Sequence, residues 1–356
     1  MLGVAVAAGV ATTIGGSPAF ASPVVKTSRT ESARHRTAYL EAGPTDGPLM
    51  IFLHGWPGLS VVWRRQLEYF AAAGWHCVAP DLRGFGGSSA PADLSAYALS
   101  ELVQDMVELH DGLGGQPAVW VGHDWGCAVV WAVAAHHARR CRAVITLTTP
   151  YIADGLALRN LVPLVNRSLY PSNQYPAGQW DYYADYYEHL DRAVQDFEAD
   201  THATLNVLYQ RTPASVVGTR ATLADVRRRG GWFGDAHRAP TVPRDPSMLA
   251  QVDFDALVSA YLKTGFRSTC AIYLNDEANL AFAAAAPGRR LHMPALFVHA
   301  RRDVICDTAF SALPEPMRQD CADLTETTLD GGHGIMIELP EETNEAITRW
   351  LVTKRL

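Results

Sequence analysis

The sequence lacks a dense cysteine framework and contains no C-x-x-C pair. Its six cysteines, at positions 77, 127, 141, 270, 306 and 321, are scattered through 356 residues. This distribution excludes a small disulfide-stapled fold and shows no metal-ligand spacing, so we expect no metal site. Most of the cysteines stand in apolar runs, as buried small residues do. If the chain is exported, one disulfide between Cys306 and Cys321 is an option.

Long runs of basic residues are also missing. Lys and Arg number 30 against 37 Asp and Glu, which gives a formal net charge of −7. The short run at 227–229 is typical of a solvated loop, so the charge pattern indicates neither nucleic-acid binding nor an anionic membrane surface. With 48% hydrophobic residues, the chain can bury a core of one large domain with an insertion, or of two domains.

Charge is absent from the first 21 residues, MLGVAVAAGVATTIGGSPAFA. The segment is small and apolar, breaks at GGSP and ends in an A-x-A sequence, although a basic start is missing. These features predict a secretory signal peptide cleaved after Ala21, and hence a secreted protein. The apolar run is too short and too rich in glycine to span a bilayer, so we expect no stable membrane anchor. If the N-terminus is mis-assigned, the expected location is cytoplasmic.

Short apolar runs alternate with helical patterns up to residue 150. Strands are predicted at 49–53, 76–80, 118–122 and 143–147, and helices at 61–73, 96–110 and 125–138. This alternation is typical of an α/β fold with a mostly parallel sheet flanked by helices.

The alternation stops after residue 150 and resumes near residue 292. The intervening segment is rich in aromatic residues and helical patterns. We predict a core over 30–150 and 292–356, interrupted by a mostly helical cap over 151–291. Strands at 294–299 and 325–329 and a helix at 340–352, opened by Pro340, complete the core.

The turn GHDWG at 122–126 lies between a predicted strand and a predicted uncharged helix. Hydrolases with a G-x-S-x-G nucleophile elbow carry serine at the central position, where this chain has Asp124. A lone G-x-D-x-G is more often a surface turn, but small residues at 122, 126 and 127 allow the close approach of strand and helix that an elbow needs. Asp124 is therefore the candidate nucleophile.

An acid and a histidine follow in the chain order that such a site requires. Asp303 follows the strand at 294–299, with Asp307 as the alternative acid. His333 lies in the glycine-rich DGGHG after the last predicted strand. His123, beside the nucleophile, is interpreted as structural.

The chemistry of an aspartate nucleophile differs from that of serine. Attack on an ester would give an anhydride, whereas attack on an sp³ carbon that bears a leaving group gives a stable ester. His333, oriented by Asp303, can then activate water to hydrolyse that ester. The backbone N–H groups of Trp56 and Trp125 are the candidate oxyanion hole. Epoxides and alkyl halides are suitable substrates, and the reaction needs water but no cofactor.

These residues resemble the epoxide hydrolase branch of the α/β-hydrolase superfamily, which is related to haloalkane dehalogenases. The likeness covers nearly all of the mature chain. The motifs that carry it are HGWPG at 54–58, DLRGFGGSSAP at 81–91, VGHDWG at 121–126, TTPY at 148–151, KTGFR at 263–267, PALFVHARRD at 294–303 and GGH at 331–333. The resemblance implies two cap tyrosines that hydrogen-bond the epoxide oxygen as the ring opens.

The first of these tyrosines lies in WDYYADYY at 180–187. The spacing implied by the resemblance favours Tyr183, with Tyr187 following. Tyr182 and Tyr186 are the alternatives, and some of the four are expected only to pack the cap.

The second tyrosine is expected where this chain has Leu257. Tyr261, one helical turn later, is the candidate second donor, although packing would also explain it. Tyr273, after KTGFR, resembles a family position without a donor role.

We therefore predict an epoxide hydrolase, a hydrolase of ether bonds, that converts a small apolar or aromatic epoxide to a vicinal diol. A haloalkane dehalogenase is the alternative, because Trp125 and the cap residues Trp180 and Trp232 offer N–H groups to a halide. A non-catalytic binding protein would not require the complete catalytic set, and the aspartate disfavours an esterase.

Overall fold

A computed structural model describes residues 24–356, and the predicted signal peptide lies outside them. Within this range one eight-stranded sheet forms, in the order β1-β2-β4-β3-β5-β6-β7-β8. Its strands are β1 (Lys26–Glu31), β2 (Arg36–Ala42), β3 (Leu49–Leu53), β4 (His76–Pro80), β5 (Ala118–His123), β6 (Cys141–Leu147), β7 (Leu291–Ala300) and β8 (Cys321–Leu329). β2 runs antiparallel to both of its neighbours, and the other neighbouring pairs are parallel.

The described residues form twelve α-helices, divided by the strands into three groups. Between β3 and β6 lie α1 (Arg64–Ala72), α2 (Leu99–Gly112) and α3 (Trp125–His136). Between β6 and β7 lie α4 (Leu158–Leu161), α5 (Asp181–Glu198), α6 (Thr201–Leu208), α7 (Gln251–Thr264), α8 (Arg267–Cys270) and α9 (Asp276–Ala284). After β7 come α10 (Glu315–Asp320), α11 (Ile335–Glu338) and α12 (Pro340–Lys354).

The centre of the sheet is buried on both faces. Every residue of β3, β4 and β5 is buried, as expected for parallel strands covered by helices. Helix α3 is buried at ten of its 12 positions and packs against β5 and β6. The predicted α/β fold is confirmed, and its parallel strands present their carboxyl ends along one edge of the sheet, where ligand sites form in such folds.

Strands β1 and β2 were absent from the sequence prediction. β1 reads KTSRTE, and none of its residues is fully buried. Because it pairs with β2 at the edge of the sheet, backbone hydrogen bonds rather than apolar burial hold it, and no hydrophobic pattern reveals it.

The six cysteines are buried free thiols, so the optional Cys306–Cys321 disulfide is not formed. The Sγ atom of Cys306 instead lies 3.6 Å from the hydroxyl of Thr149, whereas Cys321 begins β8 and pairs with Leu291. Among the described residues, no helix combines the length and apolar character that crossing a bilayer requires.

Candidate active site

Asp124 stands on the tight turn between β5 and α3. Its φ of 52° and ψ of −123° are rare for a residue with a side chain. The surrounding glycines make this turn feasible. A Cβ on Gly126 would lie 2.1 Å from the carbonyl oxygen of Leu53, and one on Gly122 would lie 2.7 Å from the backbone of Gly126. The turn therefore has the geometry of a nucleophile elbow, with the aspartate at its apex.

His333 connects two carboxylates. Its Nδ1 lies 2.8 Å from Oδ2 of Asp303, and its Nε2 lies 3.5 Å from Oδ2 of Asp124. The second oxygen of Asp303 accepts hydrogen bonds from the backbone N–H groups of Ile305 and Cys306, at 2.8 and 2.9 Å. Asp303 is thus fixed at both oxygens, and it fixes the imidazole in turn.

Asp307, the alternative acid, faces elsewhere. Its Oδ1 accepts a hydrogen bond from the N–H of Phe310 at 2.9 Å, and burial raises the pKa of its carboxyl to about 6. The geometry therefore favours Asp303 as the partner of the histidine.

Backbone N–H groups surround the nucleophilic carboxylate. The N–H of Trp56 donates to Oδ1 of Asp124 at 2.8 Å, and the N–H of Trp125 also lowers the pKa of that carboxyl. A Cβ on Gly55 would lie 2.2 Å from Oδ1 of Asp124, so only glycine admits this close approach. Both N–H groups expected from the sequence therefore face the Asp124 carboxyl, where a tetrahedral oxyanion would form.

Charge coupling stabilises the ionised forms of these buried groups. Burial alone would raise the pKa of Asp124, but hydrogen bonding to His333 and its positive charge outweigh burial and lower that pKa. Burial alone would lower the pKa of His333, but the carboxylates of Asp303 and Asp124 outweigh it and raise that pKa to about 10. The resting site therefore holds an imidazolium between two carboxylates.

His123 supports the histidine loop from the other side. Its Nε2 lies 2.7 Å from the backbone carbonyl oxygen of His333, to which it donates. Burial, assisted by the charge of His333, lowers the pKa of His123 to about 4 and keeps it neutral. This contact agrees with the structural interpretation of His123.

A cavity of about 850 Å³ opens at the site. Asp124, His123 and His333 line its core side, and Tyr182 and Tyr273 line it from the cap. Apolar side chains make up much of the remaining wall, among them Val207, Leu208, Trp232, Phe233, Met248 and Met336. This volume is in the range of small-molecule sites.

Of the tyrosines that line the cavity, Tyr182 and Tyr273 are the two whose pKa is influenced by the charge of Asp124. Tyr182 lies in the first turn of α5 and Tyr273 ends a 3₁₀ turn, with their rings edge-on at 5.8 Å. Burial raises the pKa of each well above 10, and the negative charge of Asp124 adds to both shifts. Tyr209 also lines the cavity, but burial alone raises its pKa. The phenols of Tyr182 and Tyr273 are therefore neutral, and they line the same cavity as Asp124.

Tyr183, the expected first donor, lies close to the site but outside this cavity. Its ring stacks with that of Trp125 at 6.4 Å and borders a separate small pocket with Asp124 and Cys306. Tyr187 is 47% exposed, and its hydroxyl accepts a hydrogen bond from the N–H of Asp276. Because Tyr182 lines the large cavity and Tyr183 does not, the geometry favours Tyr182, one of the alternatives that the sequence offers.

The expectation of a displaced second donor at Tyr261 does not fit the structure. The Tyr261 hydroxyl donates to the carbonyl of Pro57 at 3.1 Å, and its ring stacks on Phe266 at 4.2 Å. Leu257 is fully buried in the same helix. Tyr273, for which the sequence predicts no donor role, lines the cavity instead. Its spacing after KTGFR was the available signal.

Among the described residues, one cluster brings potential metal ligands together. It consists of Asp303, Cys306 and His333, whose ligand atoms lie within 4.8 Å of one another. Burial raises the pKa of the Cys306 thiol well above 9, which keeps it protonated. The Nδ1 of His333 is engaged with Asp303. The hydrogen bonds of Asp303 with the imidazole of His333 and with the N–H of Cys306 explain why the three residues lie together.

The parallel sheet and the strand-to-helix nucleophile define the class as an α/β hydrolase. The family described as alpha/beta hydrolase fold matches residues 48–340, and the chain belongs to it.

Within this class, the chain is similar to epoxide hydrolases. It is 31% identical over 326 residues to epoxide hydrolase A of Mycobacterium tuberculosis, covering 89% of this chain and 94% of that protein. It is 29% identical over 323 residues to bifunctional epoxide hydrolase 2 of Sus scrofa, covering 89% of this chain but only 53% of that longer relative. The crystal structure of epoxide hydrolase A from Mycobacterium thermoresistibile matches with a TM-score of 0.76 at 27% identity, covering 92% and 98% of the two chains. The chain belongs to the epoxide hydrolase branch of the family.

The substitution Asp124→Asn is expected to lower the pKa of His333, because it removes one of the two negative charges that favour the imidazolium. In the unsubstituted protein the imidazolium should persist through neutral pH towards a pKa of about 10. A pH titration of the ring ¹⁵N shifts measures this difference, and His333→Gln identifies the signal. Equal pKa values in the two proteins would contradict the coupling.

Proposed function

We propose that this protein adds water to an epoxide and releases a vicinal diol, through a covalent ester on Asp124. The observation that carries the proposal is the convergence of Asp124, His333 and two phenols on one cavity. The similarity to epoxide hydrolases over most of the chain supports the same reaction.

Ring opening is the first step. Oδ2 of Asp124 attacks one epoxide carbon while Oδ1 stays hydrogen-bonded to the Trp56 N–H. The C–O bond to that carbon breaks, and the departing oxygen takes a proton from Tyr182 or Tyr273. The low pKa of Asp124 favours this step because the nucleophile is already ionised.

Hydrolysis requires His333 to become a base. Alkylation removes the charge of Asp124, and with it part of what raised the pKa of the imidazolium. The imidazolium then returns a proton to the phenolate that formed during ring opening. His333 is left neutral, and the new hydroxyl group of the ester keeps the proton that it took from the phenol.

Neutral His333 then takes a proton from water as the water attacks the carboxyl carbon of Asp124. The oxyanion forms on Oδ1, near the N–H groups of Trp56 and Trp125. Collapse breaks the ester bond. The departing diol oxygen takes its proton from His333. The new Asp124 carboxyl keeps the second proton of the water and passes it to His333, which restores both the carboxylate and the imidazolium.

The expected substrate is an apolar or aromatic epoxide. The aliphatic and aromatic lining of the cavity supports this class, because such walls favour apolar ligands. A volume of about 850 Å³ leaves room for substituents well beyond the three-membered ring.

The dehalogenase alternative finds less support. The indole Nε1 atoms of Trp125, Trp180 and Trp232 have no partner among the described residues, so they do not argue against a halide. What disfavours this alternative is the similarity of the chain to epoxide hydrolases over most of its length. The indole of Trp56 donates to the hydroxyl of Thr269 at 3.3 Å.

Substitution of the nucleophile and the base should separate the two chemical steps. Asp124→Ala should lower diol formation from an aryl epoxide by at least roughly 10⁴-fold, because no other group can form the ester. His333→Gln should still be alkylated and should accumulate an adduct on Asp124, detected by mass spectrometry. An unmodified His333→Gln protein would contradict the two-step mechanism. Halide release from haloalkanes, without activity on epoxides, would favour the alternative.

The phenols of Tyr182 and Tyr273 should matter more to ring opening than those of the neighbouring tyrosines. Tyr182→Phe and Tyr273→Phe should each slow ring opening by roughly 10- to 100-fold, because each removes one donor to the developing alkoxide. Tyr183→Phe and Tyr261→Phe are the matched controls and should have small effects. Pre-steady-state alkylation rates measure this order, and a reversed order would exclude the assignment.

We infer that residues 1–21 are a signal peptide and that the mature protein is exported. The uncharged apolar segment and its A-x-A ending support this inference. Mass spectrometry of the protein from a secreting host should find Ser22 as the first residue. A retained N-terminus on cytoplasmic protein would refute export.

A further inference from the structure

Glu338 is a buried carboxylate near the histidine that the proposed reaction leaves without a role. It ends α11, five residues after His333, and is only 3% exposed. Its Oε2 accepts a hydrogen bond from the N–H of Gly332 at 3.1 Å, and its Oε1 accepts one from the N–H of Thr212 at 3.3 Å. Both oxygens therefore hold backbone groups, one in the histidine loop and one in the segment between α6 and α7.

The histidine loop packs tightly at this point. A Cβ on Gly332 would lie 1.9 Å from the hydroxyl oxygen of Thr212 and 2.4 Å from Oε1 of Glu338. Arg211 adds a hydrogen bond from its Nη2 to the carbonyl oxygen of Glu338 at 2.9 Å. The segment at 211–212 and Glu338 thus enclose the residue that directly precedes His333.

His333 is consequently held on both sides through its backbone. His123 binds its carbonyl oxygen, and Glu338 binds the N–H of the preceding residue. Loss of the Glu338 carboxylate would leave the buried N–H of Gly332 without its acceptor, which is unfavourable unless the loop moves. A small displacement of the loop would move the imidazole relative to the water that it must activate.

We propose that Glu338 is a positioning residue for His333 in the hydrolysis of the Asp124 ester. The inference rests on the proposed function. Hydrolysis depends on the exact position of the basic nitrogen of His333, whereas ring opening needs from His333 only the positive charge that keeps Asp124 ionised. Glu338 therefore acts on the second step and leaves the first unchanged.

The test measures both half-reactions by rapid quench and mass spectrometry with one aryl epoxide. Glu338→Gln exchanges one acceptor oxygen for an amide that cannot accept a backbone N–H. We expect ester hydrolysis to slow by roughly 10- to 100-fold, while the alkylation rate stays unchanged and the ester accumulates. Glu338→Asp keeps a carboxylate and should recover part of the hydrolysis rate. It also provides the measurement if Glu338→Gln does not fold.

Glu341→Gln is the matched control. Glu341 lies three residues later on the exposed surface, where it pairs with Arg65 at 3.1 Å, and its substitution should alter neither rate. Parallel loss of both half-reactions, in proportion to the folded fraction, would show that Glu338 is merely structural and would overturn the inference. A raised KM with unchanged rates would show that Glu338 acts only as part of the cavity wall, and this result would also overturn the inference. If the unsubstituted enzyme forms neither ester nor diol, the proposed function itself fails.

Discussion

The close approach of α3 to β3 is the constraint on which the site depends. At Gly126 the helix lies against the carbonyl of Leu53 with no room for a Cβ, so the two backbones meet directly. This contact brings the end of β3 and its following loop to the elbow. The N–H of Trp56 thereby reaches the Asp124 carboxylate. A larger residue at 126 would separate nucleophile and oxyanion hole together, because both follow from one packing distance.

The electrostatics of the site follow from that geometry. Burial opposes ionisation of both Asp124 and His333. The carboxylates of Asp303 and Asp124 nevertheless raise the pKa of His333, and His333 in turn lowers the pKa of Asp124. Ester formation removes the charge of Asp124 and leaves that of Asp303, so it lowers the pKa of His333 and favours its neutral, basic form. The switch needs no movement of the chain, since neutralising one carboxylate changes the balance of charges around the imidazole.

The sequence predicted the core and its reactive residues because their signals are local. Asp124 lies in a strand-turn-helix pattern with small neighbours, and His333 lies in a glycine-rich loop after a strand. The orientation of the cap tyrosines is not local. Tyr182 and Tyr183 are adjacent in one helical turn, yet only the former lines the large cavity, and which one does so depends on how α5 packs.

The orientation of Tyr273 was not predictable either. This residue ends a 3₁₀ turn that is too short to show a periodic pattern of apolar residues. Strand β1 is hidden for a different reason, since backbone pairing at a sheet edge leaves no hydrophobic pattern. The contacts of Glu338 could not be predicted from the sequence either, because its two partners are backbone N–H groups that are distant from each other in the chain.

The order of the catalytic residues along the chain has a consequence for biosynthesis. The nucleophile precedes helices α4–α9, whereas Asp303 and His333 follow them. Since a chain folds from its N-terminal part during synthesis, the elbow can form while its acid and base are still missing. A chain interrupted after α9 would hold the nucleophile without its acid, its base and the positive charge that keeps Asp124 ionised. The site is therefore completed only by the part of the chain that is synthesised last, beginning with β7.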